Sequence, residues 1–436
     1  MHKSVWQENI RLPAFGKPEG DLKTDVLVVG GGMAGLLCAW QLSREGVACT
    51  LIEADRICRG ITANTTAKLT SQHGFVYHKL IRRFGEEKAR MYYDANAAAL
   101  KAFRELSRQI PCDLEGEKNG IYSRDDPAIL EREWDAVTKL GIPAMYARQA
   151  PLPVENCGVI LFPDQAQFHP LKLASGIAKK LRIFEQTPAR EFGPHWVRTD
   201  SGIIRAEKII IATHFPIVNK HGGYFLKLYQ QRAYVIGLEN GLVVNGMYLD
   251  GGGDGFSLRN YGNLLLLGGQ SHRTGKASRG WAALEEFAGK TWPESQVRFR
   301  WAAQDCISLD GVPYIGRYSP AMPDVYVATG FNKWGMTSSM AASMVLRDLV
   351  QGRENPWEPL FDPARSVLRP RLIANMAEST LHLLKPTKPR CPHLGCALEW
   401  NPGERSWDCP CHGSRFREDG KLLDNPAAAD AKKLGK

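Results

Sequence analysis

The chain has 436 residues, 44% of them hydrophobic and 23% charged, which suits two domains plus an appendage and allows a sizeable core. Its net charge of +10 comes from 56 Lys and Arg set among 46 Asp and Glu. With no basic run of five it reads as a solvated basic surface, not a nucleic-acid footprint, and it suits anionic substrates or acidic electron-transfer partners. No apolar run approaches the roughly 18–20 residues that span a bilayer, and MHKSVWQENIRLPAFGKPEG has no apolar h-region, so a cytoplasmic protein without a transmembrane segment or signal peptide is expected.

The first recognisable element is DVLVVG (25–30), a short β-branched strand. It runs into Gly30-Gly-Gly32-Met33-Ala34-Gly35, then into LLCAWQLSREG with helical spacing, then into VACTLIE, a second buried strand ending at Glu53. Strand, glycine turn, helix, strand and acid form a dinucleotide-binding fingerprint. Gly30 permits the turn, Gly32 lets the backbone approach a pyrophosphate, and Gly35 allows close helix–strand packing. The helix N-terminus offers N–H groups and a positive dipole end to phosphates. Glu53, 18 residues past Gly35, suits ribose hydroxyls. The fingerprint does not separate NAD from FAD.

Residues 75–110 and 126–140 read as helices. IFEQTPAREF and HWVRTDSG read as a β-meander before GIIRAEKIIIATH (202–214), a strand entering a turn at Ala212. YQQRAYVIGL, GMYLD, GFSLRN and NLLLLGG (229–269) read as strands of a second sheet. GGGDG (251–255) follows NGMYLD, opens no helix and reads as a turn. DVYVATG (324–330) is another strand, and the helix behind it starts with small residues. That start suits the N1–C2=O edge of a flavin, where negative charge gathers on reduction. With no second glycine fingerprint, a separate NAD(P)H domain is not expected, and FAD is the favoured cofactor. RPRLIANMAESTLHLLKPTKP (369–389) reads as a helix and a Pro-bounded linker.

Ten cysteines are present. Cys38, Cys49, Cys58, Cys112, Cys157 and Cys306 are scattered and read mostly as small buried hydrophobes. The other four fall in CPHLGCALEWNPGERSWDCPCHGSRF (391–416), with Cys391, His393 and Cys396 in one box and Cys409, Cys411 and His412 in the next. A zinc site needs four ligands, typically at CxxC or HxxxH spacing, and would leave two cysteines over. Haem attachment through C-x-x-C-H does not fit CPCH.

Several groups are candidates for chemistry. Arg259 alternates out of SLRNYG and is equally a solvated strand arginine. Lys333, at the start of the closing helix, suits stabilisation of reduced flavin; its alternative is a surface lysine. His73 and His272 suit proton handling or simple structural hydrogen bonds. Asp305, near the turn DGVPYIG, is undecided between the two kinds of role.

Over roughly residues 20–360 the chain resembles the D-amino-acid oxidase-like flavoproteins, among them sarcosine oxidase, glycine oxidase and putrescine-derivative oxidoreductases. The likeness rests on the fingerprint, on RWAAQDCISLDGVPYIGR (300–317) and on VYVATGFNKWGMT (325–337). It implies an α/β Rossmann-like FAD-binding domain (about 20–75, 165–220 and 300–360). A discontinuous α+β substrate domain (about 76–164 and 221–299), with an antiparallel sheet, covers the ring. By this resemblance Gly30, Gly32, Met33, Ala34, Gly35, Glu53 and Ala54 line the ADP half, and Ala189 touches adenine. Arg59 and the stretch with Thr62, Thr65, Thr66, Ala67 and Lys68 run under the flavin. Ala212 and Gly316 belong to the same site, and Gly330, Trp334, Gly335, Met336 and Thr337 face the pyrimidine ring beside Lys333. Relatives that attach FAD covalently use a His or Cys. Here Asn64 stands where a His is sought and Cys306 is out of register, so non-covalent FAD is expected.

The tail is similar to a Rieske [2Fe–2S] motif, in which one iron takes two cysteines and the other two histidines. The resemblance implies Cys391 and Cys409 on one iron, His393 and His412 on the other, and a disulfide between Cys396 and Cys411. Ser414 holds the position that donates to a bridging sulfide. Phe416 replaces the usual tyrosine, so one hydrogen bond to a ligand sulfur is absent and a lower potential than in respiratory relatives is expected. Only the cluster-binding half of such a domain is expected, at 390–436, behind a helical linker at 366–389 and an oxidoreductase body at 20–365. With no 2-His-1-carboxylate set standing out, a Rieske oxygenase is disfavoured.

Together these features imply a dehydrogenase that oxidises a small amine, amino acid or hydroxy acid at FAD and passes electrons through the cluster to an external carrier. Two other readings stand beside it. Electrons could run inward to a substrate, or the cluster and disulfide could form a redox-sensing or structural clip.

Overall fold

The computed structural model describes residues 3–218, 221–252, 255–366, 370–386 and 389–431. It contains three sheets. The first has the strand order Tyr314–Ser319, Met322–Thr329, Gly202–Ile211, Leu22–Val29, Cys49–Ile52, Arg182–Phe184. Every neighbouring pair after the first in that order is parallel. The apolar runs of Leu22–Val29 and Gly202–Ile211 follow from this position, because a central parallel strand is covered on both faces. Val26 to Val29 and Ile209 to Ile211 are buried. The helices Met33–Arg44 and Gly335–Val350 pack against each other beside this sheet.

The second sheet has nine strands and is mostly antiparallel. Its long strands are Gln296–Ser308, Leu228–Glu239, Leu264–Arg273, Glu115–Ser123 and Gly158–Gln167. The strands expected at 229–269 all lie here, and the short strand Lys68–Leu69 joins the sheet at its far edge. Expected helices form at Tyr77–Gln109, bent at Gly85 (φ 82°), and at Pro127–Lys139. The latter starts with Pro127 in its first turn, and Asp126 accepts from Ile129 N–H at 3.0 Å. The turn expected at GGGDG lies partly outside the described residues; within them Gly252 N–H bonds Asp250 Oδ1 at 2.8 Å.

The third sheet is a small antiparallel meander, Glu399–Asn401, Ser406–Asp408, Arg415–Arg417 and Leu422–Asp424. It follows the helix Pro370–Leu384 and has its own core of Cys391, Cys396, Leu398, Cys409, Cys411 and Phe416. So short a segment buries little apolar surface by itself, and it sits against the second sheet.

Candidate functional site

The glycine turn is built by collisions that only glycine avoids. Gly30 has φ 113°, and a Cβ there would lie 2.5 Å from Ala212 O. A Cβ on Gly35 would lie 1.9 Å from Gly30 O. Gly31, which the fingerprint does not single out, is hemmed in by Ile57 and Glu53 at 2.9 and 3.0 Å. Gly32 alone opens outward, its nearest neighbour being Thr62 Oγ1 at 3.6 Å. The helix behind it, beginning at Met33 with Ala34 and Gly35, has no cap from Gly32; Thr62 Oγ1 accepts from Met33 N–H at 3.0 Å.

Glu53 closes the back of the turn. Its oxygens accept from Gly31 N–H at 2.7 Å and Asp55 N–H at 2.9 Å. Burial raises its pKa, and these N–H groups oppose the rise. Its carbonyl accepts from Thr187 N–H at 2.8 Å, which brings the strand starting at Ala189 alongside. Ala54 is exposed, and Arg59 faces solvent in an ion pair with Asp55 at 3.1 Å.

The loop from Thr62 to Gly74 is suspended by its carbonyls. Trp6 Nε1 donates to Thr65 O at 2.7 Å and Trp301 Nε1 to Asn64 O at 3.0 Å. Sequence alone leaves Arg259 between reaching the site and standing solvated on its strand. Instead it is 1% exposed and donates to Thr66 O and Ala67 O at 2.8 and 3.0 Å. Its Nη1 braces the loop, while Nε donates to Asn260 O at 3.2 Å. Lys68 Nζ donates to Tyr248 O at 2.9 Å and Ser257 Oγ at 2.7 Å, and burial pulls its pKa down to about 7. Thr65 Oγ1 accepts from Ala67 N–H at 3.0 Å, fixing the turn in which Ala67 takes φ 55°.

His73 ties the loop to the closing helix. Its ring contacts Tyr92 OH at 2.7 Å, Thr70 O at 2.8 Å and Thr337 Oγ1 at 3.1 Å, and it stacks on Trp334. Burial lowers its pKa to about 3, so it is neutral across the physiological range. In the described structure it is a bonded structural group rather than an open acid or base.

Between Gly330 and the helix start at Gly335 and Met336 the backbone turns sharply. Gly330, Asn332 and Lys333 have φ of 71°, 52° and 74°. Asn332 makes this possible by bonding Ser308 N–H at 2.9 Å and Gly330 O at 2.7 Å. Sequence reasoning passed over it, although an Asn before a helix is a fair signal for a left-handed residue. The turn aims Lys333 Nζ at Ser271 Oγ. Asp305 stands on the neighbouring strand; burial raises its pKa and the charge of Lys333 opposes this. His272 stacks on Tyr234 instead. Gly316 (φ 147°) is required by the approach of Pro363, 2.9 Å from a would-be Cβ. Cys306 is buried, its sulfur 3.6 Å from Thr329 Oγ1.

The two cysteine–histidine boxes fold as matching loops. Gly395 N–H donates to Cys391 O and Gly413 N–H to Cys409 O, both at 2.9 Å. Cys391 and Cys409 are buried, and the neighbouring Cys409 holds the Cys391 thiol below its ordinary range. The rings of His393 and His412 lie 5.0 Å apart, and burial lowers their pKa values to about 4 and 3. Both are therefore neutral, the form that ligates metal. His412 Nδ1 is buried with no hydrogen-bond partner. Cys396 and Cys411 are joined as a disulfide, and their sulfurs lie within 4.8 Å of Cys409 Sγ. Since those two sulfurs bond each other, the free thiols are Cys391 and Cys409. Two thiols, two neutral imidazoles and one orphaned buried nitrogen fit a two-Cys, two-His iron–sulfur centre. Ser414 is fully buried, and its Oγ accepts from Ala427 N–H at 3.0 Å.

The histidine side of these loops faces the body. Phe215 and Phe225 pack edge-on against His412, and Phe215 also against His393. Gln230 Nε2 donates to His412 O and Asn425 O, both at 2.8 Å, and Gln304 Nε2 to Gly413 O at 2.8 Å. Gly413 (φ 85°) is needed here, since a Cβ would lie 2.6 Å from Gln230 Cβ. Arg273 donates to Pro410 O and Cys411 O, both at 2.9 Å. Arg232 pairs with Glu404, both nearly buried. Asn425 Nδ2 donates to Thr213 O at 2.6 Å and Phe215 O at 3.1 Å. One short loop, 212–215, thus touches the glycine turn through Ala212 and the two histidines through Phe215.

A family model described as FAD dependent oxidoreductase matches residues 25–349, and one described as Rieske [2Fe-2S] domain matches 376–434. A Rieske 2Fe-2S iron-sulfur protein of Bacillus subtilis is 33% identical across 99% of this chain and 97% of its own length. Gamma-glutamylputrescine oxidoreductase of Escherichia coli is 23% identical across 75% of this chain and 84% of that protein. Among solved structures, glycine oxidase from Geobacillus kaustophilus superposes with a TM-score of 0.68 at 19% identity, covering 79% of this chain and 100% of that one.

Proposed function

The chain belongs to the FAD dependent oxidoreductase family and ends in a Rieske [2Fe-2S] domain, and on that premise we propose a dehydrogenase that oxidises a small amine, amino acid or hydroxy acid and sends the electrons out through the cluster to an external carrier. The observation that carries this reading is the loop 212–215. Ala212 packs on Gly30 of the dinucleotide turn, while Phe215 packs on His393 and His412. One loop therefore lies against both the nucleotide turn and the ligand histidines, so the cluster module docks on the half of the protein that would hold FAD.

When bound, FAD supplies a two-electron acceptor and the [2Fe–2S] centre a one-electron relay. In this reading Gly30, Gly32, Gly35 and Glu53 hold the ADP half, and the Thr62–Lys68 stretch and the turn Gly330–Thr337 hold the ring. Cys391, Cys409, His393 and His412 hold the cluster. Lys333, anchored by Ser271, places a cation at the start of the closing helix, and Asp305 sets the field around it. Arg259 and His73 act through the loop they brace. Positioning does most of the chemistry in such a site.

The test is anaerobic addition of amines, amino acids and hydroxy acids to the oxidised holoprotein, with flavin absorbance and the electron spin resonance of the reduced cluster followed together. One substrate class is expected to bleach the flavin and then reduce the cluster. A bleached flavin beside a cluster that stays oxidised would sink the proposal. Flavin reduced only from a pre-reduced cluster would reverse the direction of flow.

A further inference from the structure

The helix Pro370–Leu384 is laid inside out. Its polar side faces the protein: Asn375 is 3% exposed, donates to Leu226 O at 3.1 Å and accepts from Arg273 Nη2 at 2.7 Å. Glu378 turns to Lys276 at 2.5 Å and to His382 at 3.2 Å. The opposite side carries Ile373, Met376, Leu381 and Leu384, exposed by 72%, 46%, 67% and 75%. Thr380, in that row, turns its hydroxyl to Met376 O at 2.9 Å and so offers outsiders little. The apolar ground continues past the helix end. Leu383, Leu394 and Trp400 are also exposed there. Arg390 stitches them together by donating to Leu383 O at 2.9 Å and Gly395 O at 2.8 Å.

The sequence of the helix and the linker after it is one-sided in charge. From 369 to 390 the sequence has five Lys or Arg and a single Glu, Glu378, in a chain of net charge +10. Glu378 is turned inward, and the guanidinium of Arg390 binds carbonyls, which leave its charge uncancelled. Lys385, at the helix end, pairs with Glu399. A second copy would bring the same positive charge against this face. Exposed long aliphatic side chains, in a stretch whose sequence carries five Lys or Arg against one Glu, match the boundary layer of an anionic bilayer.

We propose that this inverted helix, with Leu394 and Trp400 beside it, seats the protein on an anionic lipid surface. No described helix is long and apolar enough to cross a membrane, so the contact is peripheral. The inference stands apart from the reading of the chemistry above and survives its failure.

The test is flotation of the holoprotein with vesicles of phosphatidylglycerol and phosphatidylcholine, against vesicles of phosphatidylcholine alone. The protein is expected to float with the first, and at least ~10-fold more weakly with the second or in high salt. Ile373→Glu and Leu381→Glu sit at exposed positions. They are expected to abolish flotation while flavin and cluster absorbance stay unchanged, which separates lost binding from lost fold. Three outcomes overturn the proposal: no flotation on anionic vesicles, flotation indifferent to both substitutions, or sedimentation showing a dimer that these substitutions split.

Discussion

Arg415 in the cluster module and Lys68 in the flavin-side loop are both buried cations, and they live under opposite rules. Arg415, 4% exposed, has Asp408 at 2.9 Å and Glu404 and Asp424 at 3.0 Å. Burial lowers its pKa, but the three carboxylates outweigh this and raise it. Lys68 binds a carbonyl and a hydroxyl; among the described residues no carboxylate pairs with it, and burial takes it down to about 7. Arg259 nearby is lowered to about 9 by the same cause. The difference follows from size. The module is too small to rest on apolar burial and is stapled by metal, disulfide and ions. The body has large cores and can bury Lys68 without a paired carboxylate beside the loop proposed to carry the flavin, where burial draws its proton off near neutral pH.

The sharpest break in this comparison is removal of the metal. Cys409→Ala is expected to abolish the cluster absorbance and strip amide protection from residues 389–431, with flavin absorbance and protection of 22–52 retained. A module that stays protected would mean that the ions suffice. Next in size is the ionic joint. Arg232→Ala and Glu404→Ala should each cost about 1.5–3 kcal/mol in denaturant unfolding, since each removes a charged hydrogen bond while Glu404 keeps Arg415 at 3.0 Å and Arg232 keeps Asp424 at 3.9 Å. The double variant should cost little more than either, and additivity would deny that the pair is coupled.

On the body side, Lys68→Met tests the unpaired cation through pH. The folded pKa lies near 7 and the ordinary value is 10.5. Between them the unfolded chain holds the extra proton, so the parent gains stability as pH rises through that window. The variant should therefore exceed the parent by on the order of a few kcal/mol at pH 6, and the advantage should shrink toward pH 10. The smallest effect is expected from Phe416→Tyr, in the fully buried module core. An added hydroxyl near the ligand sulfurs should raise the cluster potential in voltammetry, and no rise would show that it fails to reach them.

The fingerprint and the ligand boxes were legible because their chemistry is local: Gly30, Gly32, Gly35 and Glu53, or Cys391, His393, Cys409 and His412, lie at fixed short spacings. The joint between the two halves was not. Gln230 and His412 are 182 positions apart, and Gln230, Gln304 and Phe215 look like any residues of strands and turns. Arg259 stayed undecided for a related reason: strand alternation tells which face a side chain takes but not what covers that face. The helix 370–384 was foreseen from its pattern. Its outward apolar side was not, because only Arg273 and Lys276, from a different sheet strand and the turn after it, explain why Asn375 and Glu378 face inward.

Docking of the histidine side against Phe215, Phe225 and Gln230 bears on how the protein is made. His412 is 3% exposed in the closed arrangement. A donor delivering iron and sulfide has to reach that imidazole before the module settles on the body. The order of maturation expected from this arrangement is insertion of the centre first and docking second, with Asn425 on the Thr213 and Phe215 carbonyls closing the seat.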